Sequence, residues 1–435
     1  MKRLALAVLA GCSGSAAGTL DITLATAPGS HVMDAVQTLR LVVTNPHQVQ
    51  MATRDSNGFT IGIDLDATTG QSGSLIVDGL DAAGTIVATG ASPTFPIGTL
   101  TAKIVIYMAA PNTVAAAPLE LPMARDRVGV APLSYGAVLA GGLDGAGAPS
   151  NAIAIYNAYD HTLTSGVALP GPRAGLAIAT GTSHYVYLFG GSDPTGVPAA
   201  NLWRFDTAVA PAGAVLDLGD KPGFERADQT ALSIGNEQFL VTGTPAVQVA
   251  GTDGSLVVRS EIATLPTSAA AVTGTDGVAA AIFAGADGVT RFRNNTFDML
   301  PISARADARV VMLPGGKVGV VCGAGDGIRI DAATGTTDAF PTIPSEPRTG
   351  CAVAATTRHL VIAGGTVTAT GAVATTAEIY DAATLALIAT VPLVVPRTGG
   401  TAVALPNDQI LILSGHDAAG APSGTLELFT PESLE

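Results

Sequence analysis

Residues 142–149 read Gly-Leu-Asp-Gly-Ala-Gly-Ala-Pro, and the same Gly-x-Asp-x-x-Gly-x-Pro spacing returns at 191–198 and at 415–422. An aromatic residue follows each copy, fourteen positions after its first glycine: Tyr156, Phe205 and Phe429. A pattern of this length, repeated three times, indicates that the C-terminal two thirds of the chain is built from one repeated supersecondary unit.

Glycines that close apolar runs mark the repeat over its whole length: Gly142, Gly191, Gly243, Gly285, Gly323, Gly365 and Gly415. Their average spacing is about 45 residues, the period of a four-stranded propeller blade. No stretch shows sustained helical periodicity, so the repeating unit is a set of strands. Seven such glycines predict seven blades.

Further short sequence patterns recur inside the repeats. A Pro-Arg pair opens a strand at Arg173, Arg348 and Arg397, and a Gly-Gly pair closes the next strand at 141–142, 190–191 and 364–365. Tyr-Asp or an equivalent pair then ends the third strand. In these patterns, residues 123–435 resemble the kelch family of β-propellers. The resemblance is specific in repeats one, two, six and seven, and aliphatic residues replace the tryptophan of the family's fourth strand.

Residues 19–113 have a different pattern. Short alternating or β-branched runs are separated by Gly, Asn, Asp and Pro clusters at the spacing of an all-β sandwich. They predict an immunoglobulin-like domain over 19–113, and the Ala- and Pro-rich residues 114–122 predict a linker. The predicted fold class is all-β, a β-sandwich followed by a seven-bladed kelch-like propeller at 123–435.

The N-terminus has the form of an export signal. A basic start, Met1 to Arg3, precedes a short apolar run that ends in Leu-Ala-Gly-Cys at 9–12. This ending resembles the bacterial lipobox, which implies a signal peptide over 1–12 cleaved before Cys12, lipid attachment at that cysteine and a flexible tether at 13–18. Ser13 occupies the position of an inner-membrane retention aspartate, so the resemblance implies the outer membrane. The alternative is an ordinary cleaved signal with an incidental Cys12.

Composition excludes some classes of function. A formal net charge of -14, with 21 basic residues and no basic cluster beyond the N-terminus, excludes nucleic-acid binding, which requires neutralisation of phosphates. The histidines are scattered and show no metal-binding spacing. Residues 64–70 resemble a calcium loop, but Leu75 replaces the bidentate glutamate, which favours a hairpin turn. The sequence therefore predicts no metal, no cofactor and no catalytic residue.

Two cysteines besides Cys12 remain, Cys322 and Cys351. Export permits a disulfide between them. We expect two isolated buried thiols in adjacent repeats, although the sequence leaves the disulfide open.

Strand parity determines where the candidate site lies. Connections in an antiparallel meander alternate between two faces, so the loops from strand two to three share a face with the turns from strand four to the next strand one. We call this side the loop face. The candidate ligand-binding residues on it are Asp144, Asp193 and Asp417 in the loops and, by the kelch resemblance, Arg173, Arg348 and Arg397 at the channel mouth.

Other arginines would stand on the same ring: Arg125 or Arg127, Arg226 and Arg305. The long loops fall in repeats six, seven, one and two, which are neighbours on a closed ring, so one half of the face is expected to be raised. An arginine cluster suits carboxylate or sugar-acid groups. In the competing interpretation each Asp caps its own turn and each Arg pairs with an Asp of the neighbouring blade, so neither needs a ligand.

These observations predict a membrane-anchored, exported lipoprotein of the bacterial envelope whose propeller is a non-enzymatic module that binds a protein or a glycan. The alternative is a carbohydrate-active propeller enzyme, a sugar epimerase or a sialidase-like hydrolase that uses the channel arginines. A third possibility is a structural envelope or adhesion component in which the sandwich binds the partner.

Overall fold

The structure is a computed structural model of the chain. It describes residues 4–6, 20–56, 58–59, 71–96, 102–182, 184–221, 223–243, 245–259, 266–323, 326–339 and 343–433. Every regular element in these ranges is a β-strand. In the same ranges, no helix is long and apolar enough to cross a bilayer. The lipobox with Cys12, the tether at 13–18 and the calcium-like residues 64–70 lie outside the described residues.

Nine strands form an N-terminal unit: β1 (Leu4–Leu6), β2 (Leu20–Ala25), β3 (Thr38–Thr44), β4 (His47–Thr53), β5 (Ser72–Gly73), β6 (Leu75–Leu80), β7 (Ile86–Ala91), β8 (Phe95–Pro96) and β9 (Ala102–Tyr107). One sheet has the order β1-β2-β9 and another the order β4-β3-β6-β7. Alternate residues of both sheets enter one hydrophobic core, among them Ile22, Leu24, Leu39 and Leu41. The period-two apolar pattern of these strands therefore has its expected effect, one buried face per sheet.

After β10 (Thr113–Glu120), the chain folds into meanders of four strands. Their strands are β11 (Gly129–Leu133), β12 (Gly136–Ala140), β13 (Ile153–Asn157), β14 (Thr162–Ser165), β15 (Ala177–Thr180), β16 (Tyr185–Phe189), β17 (Asn201–Asp206), β18 (Ala214–Asp220), β19 (Ala231–Ser233), β20 (Gln238–Val241), β21 (Ala246–Ala250), β22 (Leu256–Arg259), β23 (Pro266–Thr273), β24 (Ala279–Gly285), β25 (Gly288–Arg293), β26 (Thr296–Met299), β27 (Arg309–Leu313), β28 (Lys317–Val321), β29 (Ile328–Asp331), β30 (Thr337–Ala339), β31 (Arg348–Thr349), β32 (Ala352–Ala355), β33 (His359–Ala363), β34 (Thr366–Val367), β35 (Thr376–Asp381), β36 (Leu387–Pro392), β37 (Thr401–Ala404), β38 (Ile410–Leu413) and β39 (Thr425–Thr430).

These strands form a β-propeller. Its blades 1 to 5 are the successive antiparallel sheets β11–β14, β15–β18, β19–β22, β23–β26 and β27–β30, blade 6 is β32-β33-β35-β36, and blade 7 is β37-β38-β39 with β10. The first strands of consecutive blades contact one another, and β37 of blade 7 contacts β11 of blade 1. Between blades, aliphatic side chains interdigitate, as Val138 and Ile153 of blade 1 do with Leu176 and Val186 of blade 2.

Strand β10 corrects the prediction of a linker at 114–122. It pairs antiparallel with β39, so a segment from before the repeats supplies the fourth strand of blade 7. Val114 and Ala117 are buried against the propeller. The Ala- and Pro-rich composition is compatible with a strand here because Pro118 falls where the register shifts, between Ala116 and Glu120.

Cys322 and Cys351 form a disulfide, which corrects the expectation of two isolated thiols. Cys322 follows the second strand of blade 5, and Cys351 precedes the first strand of blade 6, so the bond joins neighbouring blades. The next glycine, Gly323, donates its N–H to the carbonyl of Arg348 at 2.8 Å. This link between blades brings together two cysteines that lie 29 residues apart in sequence.

The N-terminal unit packs on turns of blades 1 and 7 at the face opposite the loop face. The hydroxyl of Tyr159, in the β13–β14 turn, donates to the carbonyl of Thr94 at 2.6 Å. Val105 of β9 donates its N–H to the carbonyl of Tyr159 at 2.8 Å. In blade 7, the amide of Asn407 donates to the carbonyl of Ala91 at 3.1 Å. We call this contact region the joint.

Removing the disulfide tests its contribution to stability. The Cys322→Ser/Cys351→Ser variant frees a loop of intermediate length in the unfolded state, so the free energy of unfolding should fall by about 3 kcal/mol. Urea denaturation followed by circular dichroism measures this loss. Treating the wild type with a reductant should produce the same loss, and a wild type that is insensitive to reduction would contradict the assignment.

Candidate functional site

Hydrogen bonds between blades place the long loops and the Pro-Arg turns on one face. The N–H of Gly142 donates to the carbonyl of Arg173 at 2.9 Å, and that of Gly191 donates to the carbonyl of Arg226 at 2.8 Å. Gly365 makes the same bond to Arg397 at 2.8 Å. In each case, the loop after a second strand holds the turn that opens the next blade, as strand parity requires.

Loop length divides the loop face into two halves. The segments between the second and third strands are long in blades 6, 7, 1 and 2, at 364–375, 414–424, 141–152 and 190–200. They are short in blades 3, 4 and 5, at 242–245, 286–287 and 322–327. We call the half of the loop face that carries the long segments the long-loop half. Four adjacent blades therefore carry it, which agrees with the uneven loop spacing in the sequence.

The Arg397 side chain is buried inside its own blade. Its side chain is 0% exposed and forms an ion pair with Glu427 of β39, which is also fully buried. Its Nη1 donates to the carbonyls of Ser414 and Thr425, both at 3.1 Å. Burial lowers the pKa of Arg397, and the Glu427 carboxylate opposes this shift. These partners enclose the guanidinium, so Arg397 has a role inside its own blade, and its predicted binding role stays a prediction.

Arg348 repeats this arrangement in blade 6. Its Nη2 lies 2.5 Å from Oε1 of the buried Glu378 in β35. Ser345 donates its N–H to the same carboxylate at 2.8 Å, and the Tyr380 hydroxyl also donates to it. Arg348 therefore has the same role inside its blade, and its predicted binding role likewise stays a prediction. Glu378 and Glu427 were not identified from the sequence, although both lie 30 residues after their arginine. That shared spacing was the available signal.

Three further arginines of the ring, Arg173, Arg226 and Arg125, bind within their blades without a glutamate. Arg173 donates to the side-chain oxygen of Asn201 at 2.8 Å, and its guanidinium lies 5.1 Å from the Trp203 ring. Arg226 donates to the carbonyl of Thr242 at 2.9 Å, and burial lowers its pKa to about 10. Arg125 donates to the carbonyl of Gly141 at 2.6 Å. Of the three predicted binding arginines, only Arg173 keeps partial exposure.

The loop aspartates cap their own turns. Oδ1 of Asp144 accepts the N–H groups of Ala146 and Ala148 at 2.8 and 2.9 Å. Asp417 does the same in blade 7. In blade 2, the Thr195 hydroxyl and then backbone N–H groups lower the pKa of Asp193. Each turn is completed by a glycine of positive φ: Gly147, Gly196 and Gly420. These carboxylates hold the shape of the long-loop half and remain at its surface.

A ring of left-handed residues surrounds the channel mouth. They stand two positions after each ring arginine: Arg127 (φ 51°), Gly175 (63°), Asp228 (57°), Asp307 (58°), Gly350 (66°) and Gly399 (68°). Neighbours in this ring are hydrogen-bonded, with Gly175 donating to Arg127 at 3.0 Å and Asp228 donating to Gly175 at 2.9 Å. The backbone at the mouth is therefore one connected structure over blades 1 to 3.

Two charged contacts lie on this ring. Arg127 of blade 1 pairs with Asp228 of blade 3, with Nε 2.8 Å from Oδ1. The pair crosses blade 2 above Gly175, where a Cβ would overlap the Asp228 carboxylate. On the other side of Arg127, Oδ2 of Asp126 lies 3.0 Å from Nδ1 of His416 in blade 7. Asp126, Asp228 and His416 were not identified from the sequence, because only the tertiary structure brings their blades together.

Below the mouth runs a channel of about 540 Å³. Among the described residues, those along or just before the first strands line it, including Val130, Ile178, Thr230, Ala271 and Thr401, and none of these described lining residues is charged. In the part of the chain that the structure describes, no group of three or more His, Cys, Asp or Glu could hold a metal ion. Chemically, the channel offers shape and neutral contacts, and the charged groups are at its mouth.

Comparisons with known proteins show similarity at the level of structure. No protein-family model matches the chain, and no curated protein matches it. Among solved structures, the chain is similar to the structure of YjhT, with 16% sequence identity and a TM-score of 0.46. The match covers 72% of this chain and 96% of that chain.

Replacing Arg397 tests its structural role. Arg397→Met leaves the Glu427 carboxylate buried without its cation, so the free energy of unfolding should fall by about 3–5 kcal/mol. Arg397→Met/Glu427→Leu removes both charges and should recover part of this loss, as measured by urea denaturation. Arg127→Met at the exposed mouth pair is the control, with an expected change of about 1 kcal/mol or less. Equal losses in the two single variants would contradict the buried role.

Proposed function

We propose that this protein is an exported bacterial lipoprotein in which a β-sandwich carries a seven-bladed, kelch-like propeller. We further propose that the long-loop half of the loop face binds a protein partner and that the propeller is not an enzyme. The seven four-stranded sheets and the contact between β37 and β11 support the blade number. The repeated arginine, Gly-Gly and third-strand arrangement supports the kelch likeness.

The observation that carries the binding proposal is a set of exposed apolar side chains on the loop face. Val197 in the blade 2 loop is 57% exposed, Val394 before blade 7 is 50% exposed, and Met123 before blade 1 is 43% exposed. Val197 lies in the loop that Asp193 caps, and Val394 and Met123 lie in the turns that open blades 7 and 1. Exposed aliphatic residues on a rigid, polar-rimmed surface are typical of a protein interface.

The same surface is less suited to a sugar or to catalysis. The four long loops contain no Phe, Tyr or Trp, the residues whose broad apolar faces could stack on a sugar ring. Glycoside hydrolysis needs two carboxylates that flank one pocket. The channel-lining residues include no carboxylate, and Arg348 and Arg397 are paired inside their blades.

Export is supported by two independent features. The disulfide between Cys322 and Cys351 suits an oxidising compartment outside the cytoplasm. The Leu-Ala-Gly-Cys ending of the N-terminal apolar run supports lipid attachment at Cys12. Cleavage before this residue would remove β1 from the edge of the β1-β2-β9 sheet. Several acyl chains on one residue would hold the protein on a membrane almost permanently.

Cell fractionation tests the anchor. In a bacterial host, the wild type should sediment with the envelope and incorporate labelled palmitate, whereas Cys12→Ala should lose the label and leave the membrane fraction. Ser13→Ala is the control and should behave as the wild type. Retention of unlabelled Cys12→Ala on the membrane would refute lipid anchoring without bearing on the loop face.

Site-specific photo-crosslinking tests the partner surface. A benzophenone amino acid at Val197 or Val394 should give a discrete protein adduct in cells that express the full chain. The same probe at Val258 or Met299 should not, although these outer-strand residues are 60% and 70% exposed. Equal adducts at all four positions, or none at the loop positions, would rule out the proposed interface.

A further inference from the structure

The joint between the N-terminal unit and blade 1 contains a buried histidine. His161 closes the β13–β14 turn with a left-handed backbone, φ 50°, and its side chain is buried. Its ring lies between Tyr107, at the end of β9, and Tyr156 of blade 1, with ring centroids 5.7 and 5.9 Å away. One residue of the N-terminal unit and one of the propeller therefore enclose the imidazole.

The hydrogen bonds around His161 suit only its neutral form. Nδ1 lies 2.6 Å from the hydroxyl of Tyr156, while Nε2 is buried without a partner. A protonated imidazole would carry an N–H at both nitrogens, and the one at Nε2 would have no acceptor. A buried charge without a partner is costly, so protonation favours any state in which Nε2 reaches water.

No neighbouring charge offsets this cost. The titratable groups around the ring are Tyr107 on β9, Tyr156 on β13, and Tyr159 and Asp160 in the same turn. The Tyr107 hydroxyl donates to the carbonyl of Ala116, and the Asp160 carboxylate accepts from the N–H and hydroxyl of Thr162. Burial alone lowers the pKa of His161, to about 4.

The turn that carries His161 also holds the edge of β9. The carbonyl of Tyr159 accepts the Val105 N–H, and its hydroxyl reaches Thr94, so this turn is a main contact between the two parts of the protein. Exposing Nε2 to water requires the turn to move away from β9. Met108 and Ala109 are hydrogen-bonded to Ala25 and Thr89 of the N-terminal unit, so the covalent connection between the two parts is at residues 110–112.

We propose that His161 makes the joint sensitive to acid. Its protonation separates the N-terminal unit from blade 1, at the face opposite the loop face, while the propeller stays folded. The sign follows from the lowered pKa. Docking is fully stabilised above the ordinary histidine pKa of about 6.5 and is lost progressively as the pH falls from there towards 4. This inference concerns the opposite face from the partner surface and does not depend on it.

The test follows docking and propeller integrity separately in the full chain between pH 7.5 and 4.5. Hydrogen exchange at the Val105 amide reports the joint. Trp203, the single tryptophan, is buried in blade 2, and its fluorescence emission reports whether the propeller is folded. In the wild type, exchange at Val105, corrected for intrinsic pH dependence, should rise at least tenfold at pH 4.5 with unchanged Trp203 emission.

Two variants make the test specific. His161→Asn keeps a neutral side chain that tolerates a left-handed backbone, so its exchange at Val105 should not respond to acid. His359→Asn removes another buried histidine, packed on Phe429 of blade 7, and should respond like the wild type. Equal acid responses in the wild type and His161→Asn would overturn the proposal. A Trp203 shift that accompanies the wild-type exchange would also overturn it, because the propeller would then be unfolding.

Discussion

The loop face depends on the contacts that the ring arginines make inside their own blades. A buried guanidinium is costly unless its donors are paired, and Arg397 pairs them with one carboxylate and three carbonyls. Glu427 and Thr425 lie on the third strand and Ser414 directly follows the second, so the arginine fixes the turn before the first strand relative to the rest of the blade. The carbonyl of the same arginine accepts the glycine N–H of the preceding blade. In blades 2, 3, 6 and 7, one residue thereby connects the blade to itself and to the preceding blade.

The sequence was sufficient for the features that local patterns encode. The glycine period and the alternation of apolar residues predicted four-stranded repeats, and strand parity predicted which loops share a face. The long-range partners were not encoded locally. An arginine at a strand start has the same local sequence whether its guanidinium faces a channel or a glutamate in the third strand. The Ala-rich residues of β10 and the cysteine pair likewise acquire their roles only from distant segments, β39 and blade 6.

Stability alone does not explain why charged residues stand in left-handed backbone at the channel mouth. Arg127 and Asp228 occupy left-handed backbone where the turns before blades 2, 6 and 7 have glycine, and a residue other than glycine there costs on the order of 1 kcal/mol or more. Their ion pair is partly exposed to solvent, and such pairs contribute about 1 kcal/mol at most. The interaction therefore does not offset the strain of both residues. The ion pair does fix two opposite charges above Gly175. They lie beside the contact of Asp126 with His416, at the edge of the long-loop half.

The two faces of the propeller differ in what they carry, and the proposed anchor would set their orientation relative to a membrane. The N-terminal unit occupies the underside of blades 7 and 1, which are also the central blades of the long-loop half. A lipid at Cys12 would precede β2 by a segment that spans roughly 25 Å when fully extended. The membrane would then lie on the N-terminal side of the molecule, and the long loops would point away from it. A partner surface on the loop face is therefore compatible with anchoring, whereas one at the joint would compete with the N-terminal unit for the same turns.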